Sequence, residues 1–145
     1  MRFLDIMRGR SILAAVALLA VAAAGCKGTA NTTLTPSPAN TTNTFSGSLT
    51  QGATNFHQFT VQTYGPVTVT LTAVGPLATM GLGAGIGIWD GSTCGASLSY
   101  TTAAKMGVAA LNVDFTSGNY CLRVYDSGNI PTDWTVTYTV DILHP

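Results

Sequence analysis

At 145 residues the chain has room for one domain. Six basic and six acidic residues cancel; without residues 1–25, three cations remain against five aspartates, a net charge of −2. This weakly acidic balance excludes the basic surface that nucleic-acid binding needs. Glu is absent and Thr is abundant. Because Thr favours strands whereas Glu favours helices, the composition predicts an all-β domain.

The first 25 residues have the features of a secretory signal peptide. Arg8 and Arg10 precede an uninterrupted apolar run over residues 12–24. This run is shorter than the ~20 residues that span a bilayer, and it matches the hydrophobic region of a signal peptide. Asp5 is unusual in the basic start of such a signal, and initiation at Met7 would remove it. Met1 and Met7 are both candidate starts.

A small-residue site ends the signal at Cys26. The sequence Ala-Ala-Gly-Cys at 23–26 resembles the lipobox of bacterial lipoproteins. The resemblance implies that the Cys26 sulfur takes a diacylglycerol and that its freed amine is acylated, for example by palmitate, which together make a stable anchor. Lys27 follows rather than Asp, and by resemblance to the sorting rules of diderm bacteria this favours the outer membrane. The alternative is an ordinary signal peptide, with Cys26 incidental.

Residues 26–43 are predicted to be a lipidated N-terminus and a flexible tether. The segment 28–43 is rich in Thr, Asn and Pro and has one large apolar residue, Leu34. It cannot bury enough apolar surface to offset the entropy cost of ordering it. The folded domain is predicted to occupy residues 44–145.

From residue 45 onwards, apolar and polar residues alternate, which is the pattern of half-buried strands. The clearest strand covers residues 67–73, where Val, Val, Leu and Ala alternate with Thr. No segment shows a sustained helical period, and residues 103–110 are mostly apolar and ambiguous. The pattern predicts about eight short strands, over residues 45–49, 57–61, 67–73, 82–88, 98–100, 111–115, 120–125 and 134–142.

One-sided alternation requires a second apolar surface to cover it. Two antiparallel sheets packed face to face meet this requirement, so we predict a β-sandwich of about 100 residues. Residues 82–88 place glycine at every second position. Such glycines weaken a strand, but they allow another layer of the chain to approach closely.

Cys94 and Cys121 are an even pair in a domain that is predicted to be exported, so we expect a disulfide between them. It would close a loop of about 28 residues and contribute roughly 3–4 kcal/mol on the chain-entropy model. The alternatives are two reduced thiols, a catalytic cysteine beside His57, or a metal site. His57 and His144 are the only histidines and there is no Cys-x-x-Cys spacing, which disfavours zinc. We predict no metal and no cofactor.

Residues 44–142 resemble the bacterial pre-peptidase C-terminal (PPC-like) domain. Its opening pattern is matched by Phe-Ser-Gly at 45–47, His-Gln-Phe-Thr-Val at 57–61 and Val-Thr-Val-Thr-Leu at 67–71. Its closing pattern is matched by Gly-Asn-Tyr-Cys-Leu-Arg-Val at 118–124 and Tyr-Thr-Val-Asp-Ile at 138–142. The resemblance implies a jelly-roll-like antiparallel β-sandwich. Such domains are usually appended to secreted peptidases and other hydrolases, where they are proposed to aid secretion, binding or inhibition.

No catalytic constellation stands out in the sequence. There is no serine nucleophile elbow, no His-Glu-x-x-His and no motif of paired carboxylates. His57 could act as a general base, but it occupies an aromatic core position of the family pattern, which favours a packed imidazole. The glycines of residues 81–87 alternate strictly and precede no helix, which excludes a phosphate-binding loop. We predict that the protein is not an enzyme.

Four residues are candidate ligand contacts: Trp89, Asp90, Tyr125 and Asp126. Asp90 and Asp126, like Asp133, lie in or beside turns and could supply oxygens to Ca²⁺, although turn formation alone also explains them. Trp89 and Tyr125 have the opposite parity from the aliphatic residues of their strands. They either face solvent, where aromatic faces suit pyranose rings, or cover the disulfide.

Tyr100 and Trp134 could extend such an aromatic surface, although alternation places Trp134 in the core. As a whole, the sequence predicts a lipid-anchored, non-enzymatic structural or interaction module of the cell envelope, periplasmic or surface-exposed at the outer membrane. The alternative is a carbohydrate- or Ca²⁺-dependent binding module accessory to a secreted hydrolase. The expected partners are the membrane, through the anchor, and an envelope protein or glycan.

Overall fold

The structure is a computed structural model that describes residues 39–145. The predicted signal peptide, Cys26 and most of the tether lie outside these residues. In the part of the chain that is described there are eight strands and no helix, and so none that is long and apolar enough to cross a membrane. The strands are β1 (Thr41–Leu49), β2 (Thr54–Val61), β3 (Gly65–Gly75), β4 (Leu82–Trp89), β5 (Cys94–Ala104), β6 (Ala109–Phe115), β7 (Gly118–Tyr125) and β8 (Val136–His144).

The eight strands form two antiparallel sheets of four that pack face to face. Sheet A has the strand order β1-β8-β3-β6, and sheet B has the order β2-β7-β4-β5. Four of the antiparallel pairs are nested in the sequence. The innermost pair is β4–β5, the next are β3–β6 and β2–β7, and the outermost is β1–β8. Every connection except β4–β5 passes from one sheet to the other. This is the topology of a jelly roll, and it confirms the predicted all-β sandwich.

The core lies between the sheets and is built from the apolar half of each alternating strand. In β3, Val67, Val69 and Leu71 are at most 2% exposed, and the threonines between them are on the outer face. A register shift between Leu71 and Ala73 then changes the parity, so that Val74 rather than Ala73 is buried. Burial of each such aliphatic side chain stabilises the fold by about 1.5–3 kcal/mol.

Most strand boundaries differ from the sequence prediction by one or more residues, and three of the strands show why. β1 begins at Thr41, because residues 41–43 pair with residues 142–144 of β8. β5 is longer than the predicted 98–100, since β4 supplies partners along it from Cys94 to Ala104. β8 begins at Val136, so the prediction that Trp134 is in the core was wrong. Trp134 is 39% exposed in the preceding loop.

The ambiguous residues 103–110 contain the turn between two strands. Residues 103–104 end β5 and residues 109–110 begin β6. The turn between them includes Gly107 at a φ of +77°, a backbone conformation that glycine adopts at little steric cost.

Candidate functional site

The predicted disulfide joins Cys94, at the start of β5, to Cys121 in β7. These strands are not neighbours, because β4 lies between them in sheet B. The bond therefore crosses the outer face of β4, where the Cys121 sulfur lies 3.6 Å from the Ile88 carbonyl oxygen. The predicted disulfide is confirmed. It links β5 to β7 across β4 and so connects these three strands at one end of sheet B.

The glycines of β4 make room for chain that lies on top of the strand. Leu82, Ala84 and Ile86 of β4 point into the core, which puts the glycines at 83, 85 and 87 on the outer face. A Cβ on Gly87 would lie 2.7 Å from the Gly95 carbonyl oxygen, and a Cβ on Gly83 would collide with the Tyr125 ring. The close approach predicted from the alternating glycines is confirmed.

A groove of about 520 Å³ lies on the outer face of sheet B. We call it the sheet-B groove. No residue of β4 lines it, because Tyr125 covers Gly83, and Ser97 and Tyr100 cover Gly85. The volume is in the range of small-ligand sites. The lining residues come from β2, β5 and β7: Thr54, Ala96, Ser97, Tyr100, Arg123 and Tyr125.

One cross-strand row contains Arg123 and Tyr100, which line the sheet-B groove, and ends at Phe56 beside them. Phe56 of β2 lies opposite Arg123 of β7. Arg123 in turn lies opposite Gly85 of β4, and Gly85 lies opposite Tyr100 of β5. The side chains of Phe56 and Tyr100 are 52% and 67% exposed. Two exposed aromatic rings therefore flank one half-buried guanidinium on a single line across the sheet.

The Arg123 guanidinium has few partners in the protein. Its Nη2 donates to the Gly95 carbonyl oxygen at 3.3 Å, and its Cζ lies 5.5 Å from the centre of the Phe56 ring, within cation–π distance. Its Nε is buried and has no hydrogen-bond partner. Within residues 39–145 no carboxylate pairs with it. Since arginine is always protonated in proteins, the sheet-B groove contains one positive charge without a counter-ion.

Tyr125 closes one end of the sheet-B groove. Its ring covers Gly83, and its hydroxyl donates to the Thr101 carbonyl oxygen of β5 at 3.3 Å. This hydrogen bond links β7 to β5 across β4 and holds the ring in place. Tyr125 is the one predicted ligand contact that lines the groove.

Trp89 and Asp90 lie at the other end of β4. Gly83, which pairs with Tyr125, is six residues from Trp89 along the strand, a separation of roughly 20 Å. Trp89 pairs with Cys94 and so lies beside the disulfide. The structure therefore does not bring the four predicted contacts together in one site.

Both predicted ligand aspartates accept hydrogen bonds within turns. Asp90 accepts from the hydroxyls and the N–H groups of Thr93 and Ser92, and these bonds hold the pKa of the Asp90 carboxyl well below its usual range. Burial acts to raise the pKa of Asp126, but four backbone N–H donors outweigh it and the pKa is lowered. The four donors belong to Gly52, Gly128, Asn129 and Ile130. Among the described residues, no group of three or more His, Cys, Asp or Glu is placed to hold a metal ion.

His57 lies at the edge of the sandwich and does not line the sheet-B groove. Its Nε2 is 2.7 Å from the hydroxyl oxygen of Tyr138 in β8, which also accepts a hydrogen bond from Asn55 at 3.1 Å. The imidazole stacks on Phe45 with ring centroids 4.8 Å apart, and burial lowers the pKa of His57. These contacts join β2 of sheet B to β1 and β8 of sheet A. The imidazole of His57 is therefore packed between the two sheets.

Arg123 and Phe56 are absent from the contacts predicted from sequence. A signal exists for each of them. Phe56 has the opposite parity from the buried Phe59, and Arg123 shares the outward parity of Tyr125. Parity places each residue on an outer face, but only the strand order β2-β7-β4-β5 brings these outer faces together with Tyr100.

In comparisons with known proteins, the chain matches no protein-family model and no curated protein. The resemblance to the PPC-like domain therefore stays a prediction, and the candidate site rests on its own geometry.

Proposed function

We propose that the protein is a lipid-anchored, non-enzymatic binding module of the cell envelope, whose ligand is a glycan held in the sheet-B groove. The observation that carries this proposal is the pair of exposed rings on one cross-strand row: Tyr100, which lines the groove, and Phe56, which lies next to Arg123 at its side. Large apolar side chains that stay exposed beside a concave surface mark binding sites. The face of an aromatic ring offers the C–H side of a pyranose a flat apolar surface to stack against.

The polar groups around the rings also suit a sugar. Thr54, Ser97 and Tyr125 line the groove with hydroxyls, which can both donate and accept hydrogen bonds, as sugar hydroxyls can. The described residues that line the groove include no histidine, cysteine or carboxylate. The groove therefore offers stacking and hydrogen bonding, and none of the described residues that line it is a histidine or carboxylate base that could activate its Ser and Thr hydroxyls.

The anchor is the second part of the proposal, and it is supported by the lipobox-like sequence that ends at Cys26. The disulfide between Cys94 and Cys121 adds support, because structural disulfides persist mainly in exported proteins. An accessory role beside a secreted hydrolase is also compatible with glycan binding. It differs from the role proposed here only in having the hydrolase as a partner. We do not propose Ca²⁺ as a ligand, since Asp90 and Asp126 are already engaged by their own turns.

The anchor is tested by the substitution Cys26→Ser in cells labelled with palmitate. We expect the wild-type protein to incorporate label and to fractionate with membranes. The variant should do neither, because it lacks the thiol that takes the diacylglycerol. A variant that still carries label and stays membrane-bound would contradict the anchor.

Glycan binding is tested with the purified full-length protein on an array of bacterial and plant oligosaccharides. We expect the wild type to bind, and Tyr100→Ala to weaken binding about tenfold, the value of one lost stacking contact. Tyr64→Ala is the matched control, because Tyr64 is 69% exposed but lies outside the sheet-B groove. A wild type that binds no glycan, or equal losses in the two variants, would overturn the proposal.

A further inference from the structure

We infer that the ligand of the sheet-B groove is an acidic glycan, and that Arg123 binds the carboxylate of a uronic acid unit. This inference rests on the proposed function, since it names the class of glycan that the same groove takes. It assigns Arg123 as the specificity-determining residue, with the rings of Tyr100 and Phe56 on either side of it.

The first observation is that the positive charge of Arg123 has no charged neighbour in the groove. Lys105 and Arg123 are the two lysine or arginine residues in the part of the chain that the structure describes, and Lys105 lies in the β5–β6 turn. Arg123 is therefore the one such cation of the groove, and it has no carboxylate partner there. Arginine is the side chain best suited to a carboxylate, because its planar fork can donate two parallel hydrogen bonds.

The second observation is the incomplete hydrogen bonding of the guanidinium. Nε is removed from solvent and is therefore out of reach of a ligand in the groove, whereas Nη2 is exposed and makes a single long bond to the Gly95 carbonyl oxygen. The Nη groups are the donors that a bound carboxylate would meet, end-on to the guanidinium fork. Such charge-assisted hydrogen bonds are stronger than those to a neutral hydroxyl.

The third observation concerns the charges nearby. No acidic residue lines the groove. The nearest acidic residue in sequence, Asp126, follows Tyr125 and turns its carboxylate to the backbone N–H groups of the β1–β2 and β7–β8 connections. An anion that enters beside Arg123 therefore meets a positive charge and hydroxyls.

The position of the groove favours a glycan over an acidic peptide. Extended peptides usually bind by adding a strand to a sheet edge, where main-chain groups are free. The groove lies over β4 and β7, which are the two central strands of sheet B and have neighbours on both sides. Recognition there depends on side chains, and those present are rings, hydroxyls and one guanidinium.

The test uses a galacturonic acid oligomer and its methyl ester, which has the same rings and hydroxyls without the charge. Calorimetry on the full-length protein should show the acid binding at least tenfold more tightly than the ester. Arg123→Gln should remove this preference, Arg123→Lys should keep part of it, and Lys105→Gln should leave it unchanged. The Lys variant keeps the test valid if the Gln variant fails to fold.

The outcomes separate the inference from the proposed function. Equal affinities for acid and ester, or binding only to neutral glycans on the array, would overturn the role of Arg123 and leave glycan binding intact. Binding to no glycan at all would overturn both. A polyglutamate peptide that binds as tightly as the acid, and is lost in Arg123→Gln, would overturn the assignment to a glycan.

Discussion

Gly87 is the residue at which β4, the start of β5 and the disulfide meet on the outer face of sheet B. A methyl group there would lie 2.7 Å from the Gly95 carbonyl oxygen and 3.1 Å from the Ala96 carbonyl oxygen. Both are backbone atoms, so no side chain can rotate away. The chain next to them is held by the bond between Cys94 and Cys121, which limits how far it can withdraw.

We therefore expect Gly87→Ala to lower the free energy of unfolding by about 1–3 kcal/mol, the usual cost of forcing extra volume into a packed site. Gly81→Ala is the matched control, because the nearest atom to a Cβ there is at an ordinary 3.6 Å. It should change stability by no more than about 0.5 kcal/mol. Urea unfolding of both variants measures the difference in stability. Equal effects would show that the backbone of residues 95–96 does not pack tightly on Gly87.

At the scale of single strands, alternation predicts that a strand exists and which way its side chains face, whereas the partner strand decides where it ends. β1 is extended to Thr41 by pairing with β8, in a Thr- and Asn-rich stretch without apolar alternation. The pairing of β4 with β5 is irregular at three places, and these irregularities cannot be read from either strand alone. Ile88 shares the parity of the buried Ile86, yet it is 55% exposed.

The candidate site was predictable only in part, for the same reason. Outward parity indicated Tyr125, which lies on the outer face and lines the groove, because an aromatic residue opposite in phase to the aliphatic ones leaves the core. Arg123 shares this outward parity, but an outward arginine is ordinary on any strand, so parity alone does not mark it as a ligand contact. Its significance depends on the strand order of the sheet, which puts Gly85 of β4 between Arg123 and Tyr100 and so leaves no side chain between these two residues. Trp134 was misplaced because it belongs to a turn, in which its N–H donates to the Pro131 carbonyl oxygen at 3.2 Å and Asp133 has a φ of +65°, so that β8 begins only at Val136.

At the scale of the whole molecule, a polar cluster joins the two sheets beside their apolar core. The hydroxyl of Tyr138 from sheet A meets Asn55 and His57 from sheet B. Because Asn55 donates to the Tyr138 oxygen, the Tyr138 hydroxyl is free to donate to the Nε2 of a neutral His57. Protonation of His57 would remove this acceptor and place a charge in a half-buried site.

Stability should therefore fall as the solution becomes acidic. Burial lowers the pKa of His57 below its ordinary 6.5, so the unfolded chain takes up a proton at a higher pH than the folded protein does. The stabilisation by neutral His57 is complete above about pH 6.5 and is lost as the pH falls through the folded pKa. Melting temperatures at pH 7.5 and pH 5 should differ less in His57→Gln than in the wild type. An equal difference in both proteins would contradict this assignment.

The nested pairing of the strands also predicts the order in which the pairs form during folding. A short turn joins β4 to β5, so these strands can meet with the smallest loss of chain entropy, and each outer pair then closes a loop already shortened by the pair inside it. The last pair, β1 with β8, brings together residues as distant as Asn43 and His144, which are 101 positions apart. In a chain that crosses a membrane with its N-terminus first, β1 emerges before every other strand and yet receives its partner last. On the proposed export, the strand nearest the predicted anchor would stay without its partner until β8 has also crossed the membrane.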